Sequence, residues 1–286
     1  MMTGFARRRF AAPIAIGLAV LALIAGASVG AAAEPASQWD GDAHSAVRLI
    51  AGSRAAAATA PIRAGVEIRL MDGWHTYWRY PGDAGVPPRF DFAASQNVKS
   101  VEVLWPAPQP IAEHGLTAIG YLRGVIWPLA VVPQDPSKPA TLRLKLDYAV
   151  CEKLCVPAEG KAELVLDGGP AQDAALAAAE ARVPKKRALG QNGALAVKSV
   201  RRADGPPHVV VDVAAPPGAS VALFAEGPTA DWALPVPRAI AGAPAGLQRF
   251  VFDLDGAPPG AKYEGAALTL TAVAGDEAIE VATRLE

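Results

Sequence analysis

The sequence predicts an all-β protein with two β-sandwich domains joined by a short helix, preceded by an export signal. Short runs in which apolar and polar residues alternate recur along the chain, and the 26 Pro and 27 Gly residues fall largely between them. Alternation with a period of two is typical of half-buried antiparallel strands, and frequent turn signals between short strands are typical of sandwiches. One segment only has the composition of a helix.

Residues 1–33 have the three parts of a secretory signal peptide. Arg7-Arg8-Arg9 supplies the positive region, residues 11–29 the apolar run, and Ala31-Ala32-Ala33 a small-residue cleavage site. The general secretory route is favoured, while the twin-arginine route and an uncleaved anchor stay open. No later stretch reaches the ~18 apolar residues that a membrane span needs. We therefore expect a soluble protein outside the reducing cytosol, where a disulfide persists.

The first sandwich is expected over residues 34–169. Its predicted strands are 46–51, 62–71, 74–80, 98–105, 119–132, 141–150 and 161–166. The alternation is clearest in the sixth of these, where Leu142, Leu144, Leu146 and Tyr148 alternate with polar residues. Pro- and Gly-rich breaks such as 81–85 separate the runs.

A linker is expected over residues 170–190, and its Ala-rich part, 170–182, is predicted to be helical. Pro184 ends this helix, and the basic residues 185–187 suit its carboxyl end. A second sandwich is expected over residues 191–286. Its predicted strands are 209–213, 220–225, 248–254, 267–273 and 278–282. This half has no Cys and no cluster of ionisable groups, so a structural or docking role is expected.

The formal net charge of the chain is −1. With so balanced a charge, the sequence gives no sign of a basic surface that would bind nucleic acid or an anionic membrane. The sequence also contains no Ser-His-Asp set, paired-carboxylate motif or phosphate loop. Hydrolase and nucleotide-dependent activities therefore have no support.

The chemistry of the sequence lies in Cys151 and Cys155, its two cysteines. They fall between two predicted strands, so we expect them on a loop at the edge of the first sandwich. A structural disulfide across so short a ring would contribute only about 2 kcal/mol, against roughly 3 for a fifteen-residue ring. Thiol–disulfide exchange needs one exposed thiolate and a second thiol close enough to resolve the mixed disulfide, and the pair provides both.

A metal site is the third interpretation of the pair. Cys-x3-Cys followed by x-Pro resembles the copper-binding loop of Sco-type proteins, and thiolates suit Cu(I). Those proteins carry the loop on an α/β domain, and this chain lacks the βαβ alternation of such a fold. His75 and His114 could complete a site with the two thiolates. Zinc is disfavoured, because two thiolates without a second pair of ligands make a poor tetrahedral set.

Four segments, in this order, resemble the periplasmic amino-terminal region of DsbD- and ScsB-type protein-disulfide reductases. They are Asp72-Gly73-Trp74-His75-Thr76-Tyr77-Trp78-Arg79, residues 81–88, Trp105-Pro106-Ala107-Pro108, and residues 147–157 with the cysteine pair. The resemblance covers most of residues 40–170 and continues more weakly beyond. It implies immunoglobulin-like sandwiches, and a domain that takes electrons from a membrane-embedded partner and passes them to periplasmic oxidoreductases or isomerases.

The resemblance also implies roles for individual residues. Cys155 would be the nucleophile and Cys151 the resolving cysteine. A cap over residues 113–121 would shield the pair until a partner docks, although the aromatic lid of the family is missing here. The supporting residues by resemblance are Glu113 as an acidic neighbour, Leu116 or Ile119 as the apolar lid, and His75 and Tyr77 beside the pair.

The resulting hypothesis is a periplasmic thiol–disulfide carrier, a protein-disulfide reductase without a cofactor. Because the sequence ends after the second sandwich, the carrier would receive its electrons from a separate membrane protein. Two alternatives stay open. One is a copper-binding protein or copper chaperone with Cys151 and Cys155 as ligands, and the other is a binding module with a structural disulfide.

Overall fold

A computed structural model describes residues 1–2, 35–53, 60–203 and 207–286, and the expected signal peptide lies outside these ranges. Within them, the strands are β1 (Asp40–Gly41), β2 (Ser45–Ala51), β3 (Ile62–Leu70), β4 (His75–Gly82), β5 (Arg89–Asp91), β6 (Val98–Val103), β7 (Gln109–Glu113), β8 (Leu116–Leu122), β9 (Gly124–Pro133), β10 (Ala140–Cys151), β11 (Cys155–Leu166), β12 (Lys185–Lys186), β13 (Ala196–Ala203), β14 (His208–Ala214), β15 (Ala222–Glu226), β16 (Arg238–Ile240), β17 (Leu247–Asp253), β18 (Ala267–Ala274) and β19 (Glu277–Arg284). The helix within them is α1 (Asp173–Ala181). Across these ranges, no helix is long and apolar enough to cross a membrane.

The first sandwich consists of two sheets. One has the strand order β1-β2-β3-β9-β6, and the other has the order β11-β10-β4-β8-β7, with β5 also paired to β10. The predicted alternation in β10 is present, because Leu142, Leu144, Leu146 and Tyr148 are buried while Lys145 and Asp147 between them are exposed. These inward side chains pack between the sheets in a core that also holds the fully buried Trp78 and Trp127.

The second sandwich also has two sheets, with the orders β12-β19-β18-β15 and β13-β14-β17-β16. It has its own apolar core, which includes Phe250, Phe252 and Leu270. The prediction of an all-β fold of the immunoglobulin-like type is therefore confirmed.

Helix α1 packs on the outside of the first sandwich. The side chain of Leu176 is fully buried against β3, where Gly65 leaves room for it. The guanidinium of Arg63 forms ion pairs with Asp173 and Glu180 on the helix. The helix is thus held to the first sandwich by one apolar anchor and one charged anchor.

The run predicted as one strand over 119–132 forms two strands, β8 and β9. Arg123 lies between them and Gly124 begins β9, with φ angles of 64° and 118°. This left-handed backbone conformation ends β8, and the chain continues as β9 in the opposite sheet. Arg123-Gly124, which interrupts the apolar run, marks this break, and the prediction of a single strand passed over it.

The sequence had suggested that the cysteine pair lies within a loop. In the structure, the pair lies at the tip of a β-hairpin. Strand β11 begins at Cys155, ahead of the predicted strand at 161–166. Cys151 is the last residue of β10, so the loop between the two strands contains only Glu152, Lys153 and Leu154.

Candidate redox site

The two cysteines are cross-strand partners in the β10–β11 hairpin. They form a disulfide, with their Cα atoms 4.2 Å apart. Their exposure differs sharply, since Cys151 is fully buried and Cys155 is exposed to solvent. Of the two cysteines, Cys155 is therefore the one that a partner can approach from solvent.

Strand β4 brings two further predicted residues to the disulfide. It pairs with the end of β10, where Cys151 lies opposite His75. The hydroxyl of Thr76 donates a hydrogen bond of 2.9 Å to the carbonyl oxygen of Ala149, which fixes this junction. Residues two apart on a strand point to the same face. Tyr77 therefore lies on the same side as His75, and their rings meet edge to face at 5.4 Å.

Glu113 is at the centre of the site. It ends β7, and the turn at His114 and Gly115, with φ angles of 49° and 85°, returns the chain along β8. Its carboxylate is buried, and Oε1 lies 3.1 Å from the Sγ of Cys151 and 3.0 Å from the Sγ of Cys155. A single carboxylate thus contacts both sulfur atoms.

Two neighbours hold the carboxylate of Glu113 in this position. Oε2 lies 3.2 Å from Nε2 of His75. The hydroxyl of Tyr77 lies 3.3 Å from each carboxylate oxygen and 3.2 Å from the Sγ of Cys155. Burial, and next the charge of Glu113 and the hydrogen bond to it, raise the pKa of Tyr77 well above its ordinary value. The phenol therefore remains a hydrogen-bond donor beside the disulfide.

These contacts bring together five of the predicted residues, which we call the redox site: Cys151, Cys155, His75, Tyr77 and Glu113. The two predicted lid residues are placed differently. Leu116 is half-exposed at the start of β8, where it pairs with Glu113 across the turn. Ile119 is fully buried in the core of the first sandwich, so its side chain packs between the sheets and does not form a lid.

Several residues of the site carry no signal in the sequence. Ala118 and Ala149 are buried with Tyr77 and Cys151 in a small apolar cluster. Gly85, at a φ of 110°, lies against the ring of Tyr77, and a Cβ there would be 2.2 Å from that ring. The Gly-rich segment 81–85 marked a turn, but nothing in it indicated contact with the site.

The redox site also groups atoms that can bind a metal ion. His75, Glu113 and Cys151 each offer one ligand atom, and these atoms lie within 4.8 Å of one another. All three residues are buried. His114, which the sequence offered together with His75 to complete a metal site, is exposed at the turn after Glu113.

The fold and the paired cysteines define a thiol–disulfide exchange domain. Residues 46–167 match the family model "Thiol:disulfide interchange protein DsbD, N-terminal", and this part of the chain is a domain of that type. The structure is similar to the crystal structure of the N-terminal periplasmic domain of ScsB from Proteus mirabilis, with a TM-score of 0.68 and 20% sequence identity, covering 88% of this chain and 98% of that chain. No curated protein sequence gives a significant match.

Proposed function

We propose that this protein is a periplasmic thiol–disulfide exchange protein that carries reducing equivalents from a separate membrane protein to the disulfides of exported proteins. The observation that carries the proposal is the difference in exposure between the two cysteines, with Cys155 exposed and Cys151 buried. Exchange requires one accessible sulfur and one resolving thiol that is shielded from competing reactions. The likeness to a periplasmic domain supports the compartment.

In the reducing half of the cycle, the thiolate of Cys155 attacks a disulfide sulfur of the acceptor. A bond forms between Cys155 and that sulfur, while the acceptor's own disulfide breaks and its other sulfur leaves as a thiolate. The hydroxyl of Tyr77, 3.2 Å from the Sγ of Cys155, can donate a hydrogen bond to the attacking thiolate and stabilise it.

The thiol of Cys151 then resolves the mixed disulfide. Its sulfur attacks the Sγ of Cys155, forms the intramolecular disulfide and releases the second acceptor sulfur as a thiolate. The acceptor is thereby reduced by two electrons and the cysteine pair is oxidised. The carboxylate of Glu113, 3.1 Å from the Sγ of Cys151, is placed to take the thiol proton as the bond forms.

Reloading reverses these steps. A thiolate of the donor attacks the exposed Sγ of Cys155 and expels Cys151, which takes up a proton. A second donor thiol then releases Cys155 and leaves the donor oxidised. Each turnover consumes the dithiol, so the cycle depends on an electron donor, for which we propose a membrane protein.

A redox titration tests the proposal. The fraction of disulfide in the full chain is measured after equilibration in graded dithiol and disulfide buffers. An exchange protein should have a midpoint within the range of known oxidoreductases, about −180 to −270 mV. A midpoint below about −300 mV is typical of structural disulfides and would contradict the proposal.

A matched pair of trapping variants tests the roles of the two sulfurs. In cells, Cys151→Ser should accumulate mixed disulfides through Cys155, because no thiol remains to resolve them. Cys155→Ser should accumulate few, because Cys151 is buried. Both are detected as adducts that disappear on reduction. Equal trapping by the two variants would refute the assignment of Cys155 as the attacking residue.

A further inference from the structure

The reduced redox site brings three groups that can carry a negative charge into contact. Breaking the disulfide produces two thiols, whose sulfurs lie 3.0 and 3.1 Å from the same carboxylate oxygen of Glu113. Deprotonation of both thiols would place three negative charges within a site where Cys151 and Glu113 are buried. Buried charges are stable only when they are paired or bound to a metal ion.

We propose that the dithiol form of the redox site binds a divalent cation of the Zn²⁺ type, with Cys151, Cys155, His75 and Glu113 as its four ligands. Strands β4 and β7 supply the second pair of ligands, which are His75, already offered by the sequence for a metal site, and Glu113, which the sequence did not offer. His75 contributes Nε2, 3.2 Å from Oε2 of Glu113. Binding needs only the dithiol, so this inference does not depend on the proposed electron relay.

The ligand atoms lie close enough together to converge on one metal ion. Ligand atoms bound to Zn²⁺ at ~2.0–2.3 Å lie about 3.3–3.8 Å from one another. In the redox site, Nε2 of His75 lies 3.2 Å from Oε2 of Glu113, and both sulfurs lie 3.0 to 3.1 Å from Oε1. The ligand atoms of His75, Glu113 and Cys151 all lie within 4.8 Å of one another, so binding requires them to shift only by about an ångström. Reduction frees the two sulfurs to separate, and Cys155, at the exposed end of the hairpin, can move without disturbing the core.

The mixture of donor atoms selects the class of metal. Two thiolates, one imidazole and one carboxylate form a set that suits Zn²⁺, which accepts sulfur, nitrogen and oxygen ligands in a tetrahedron. Cu(I) prefers soft ligands and gains little from a carboxylate oxygen. The inference therefore favours Zn²⁺ over the copper that the two cysteines alone would suggest.

Reduction of the disulfide and binding of the metal ion are two separate steps. A phosphine or dithiol reductant supplies two electrons to the disulfide and is itself oxidised, and the two sulfurs take up two protons. Zn²⁺ then binds both sulfurs as thiolates and releases these protons. The metal occupies the thiolates that exchange would use, so the loaded protein should react slowly with disulfides.

The test uses the full chain, reduced with a phosphine that is then removed without oxygen, and Co²⁺ as a spectroscopic probe. We expect one Co²⁺ per chain, with the intense visible bands of tetrahedral coordination and a sulfur-to-metal charge-transfer band. Zn²⁺ should displace it and remove both signals. The oxidised protein should give neither signal, because the disulfide has no thiolate to offer.

Matched variants identify the ligands. His75→Gln and Glu113→Gln should each weaken Co²⁺ binding at least ~10-fold. His114→Gln, at the exposed residue next to Glu113, should leave the affinity unchanged. Undiminished affinity in both His75→Gln and Glu113→Gln would overturn the proposal, because the two thiols alone would then account for binding.

A measurement on the unmodified protein covers the case in which a variant does not fold. X-ray absorption of the Zn²⁺-loaded reduced chain should show two sulfur ligands and two nitrogen or oxygen ligands, with the scattering pattern of an imidazole ring. A spectrum without imidazole, or with sulfur ligands only, would equally overturn the proposal. A redox titration without metal remains the separate test of exchange, so failure of one proposal is distinguishable from failure of the other.

Discussion

At the scale of single residues, the redox site depends on one carboxylate that four other side chains surround. Glu113 is in contact with His75, Tyr77 and both cysteine sulfurs. A change in the protonation or charge of one of these groups therefore alters the electrostatic surroundings of the others, because all of them contact Glu113. The two sulfurs share this carboxylate, but of the two it is the Sγ of Cys155 that the hydroxyl of Tyr77 contacts.

Removing the hydroxyl of Tyr77 should slow exchange through Cys155. Tyr77→Phe keeps the buried ring against Gly85 but removes the donor 3.2 Å from the Sγ of Cys155. A hydrogen bond to a charged group contributes about 1.5–3 kcal/mol, so we expect a fall of roughly 10-fold or more in the rate at which the dithiol reduces a model disulfide.

The pH dependence of this effect follows from the pKa of Tyr77. Because that pKa is raised, the phenol keeps its proton even above pH ~10, where an exposed tyrosine ionises. The ratio of wild-type to Tyr77→Phe rates should therefore stay constant as the pH rises through ~10, where an unshifted tyrosine would lose the effect. A ratio near one at all pH values would show that the hydroxyl plays no part in the exchange.

The sequence indicated these residues only in part. The cysteine pair was evident from its chemistry, and the resemblance pointed to His75, Tyr77 and Glu113. The resemblance offered Leu116 or Ile119 as the apolar lid, and the local sequence does not distinguish between them. Folding as two strands with a turn at His114 and Gly115 alternates the side chains, and it directs Ile119 into the core.

At the scale of elements, the site depends on the alignment of two hairpins. The β10–β11 hairpin carries the cysteines, and the β7–β8 hairpin carries Glu113. They meet through β4, which pairs with β10 on one side and with β8 on the other. Glu113 contacts the disulfide only while β8 remains paired with β4.

Two glycines of the β7–β8 hairpin allow this alignment to be tested. Gly120 pairs with Tyr77, and a Cβ there would lie 2.0 Å from the backbone oxygen of Thr76. Gly120→Ala must therefore force β8 away from β4. We expect a loss of at least about 3 kcal/mol in the free energy of unfolding, together with faster reaction of the reduced Cys151 with an alkylating reagent.

Gly115→Ala is the matched control on the same hairpin. A Cβ at Gly115 has no atom within 4 Å, so its cost arises only from the φ of 85° and should be about 1 kcal/mol. Cys151 should remain as protected as in the unchanged protein. Urea unfolding and the alkylation rate check both variants. Equal losses in the two variants would mean that close packing of β8 on β4 does not hold the site.

Sequence patterns predicted elements more reliably than the connections between them. The alternation of Leu142, Leu144 and Leu146 reports burial of one face, so it was sufficient to predict β10. Strands β1, β5, β7, β12 and β16 were missed, since they are only two to five residues long and carry little alternation. The eight-residue β13 was missed as well, because half of its residues are polar and do not alternate regularly with the apolar ones. The pairing that joins β4 to β10 is a long-range contact, and no local pattern encodes it.

At the scale of the whole molecule, the two sandwiches share a packed boundary. Residues Ala33–Glu286 form one compact unit. Phe224, from β15 of the second sandwich, is buried in the core cluster of the first, with its ring 5.9 Å from that of Trp78. Tyr80 donates a hydrogen bond to the carbonyl oxygen of Leu234 across the same boundary. Strand β4 therefore contributes both to the redox site and to the boundary.

Arg79 is the charged link across this boundary. Its guanidinium lies over the ring of Trp78, at 4.4 Å from the centroid. It donates hydrogen bonds of 2.9 and 2.7 Å to the two carboxylate oxygens of Glu226, and one of 2.6 Å to Glu280. Both acceptors belong to the second sandwich, and their side chains are only 20% exposed.

Arg79→Ala should therefore destabilise the protein by about 2–3 kcal/mol, because it leaves two largely buried carboxylates close together without their cation. Arg143→Ala is the matched control, since Arg143 pairs with Glu163 within the first sandwich, where the two side chains are 36% and 56% exposed. An exposed pair contributes little, so this control should change stability by less than about 1 kcal/mol. Urea unfolding of the full chain measures both changes. A similar small loss in the two variants would show that the sandwiches are held together by Phe224 and its apolar neighbours, and that the charged link adds nothing.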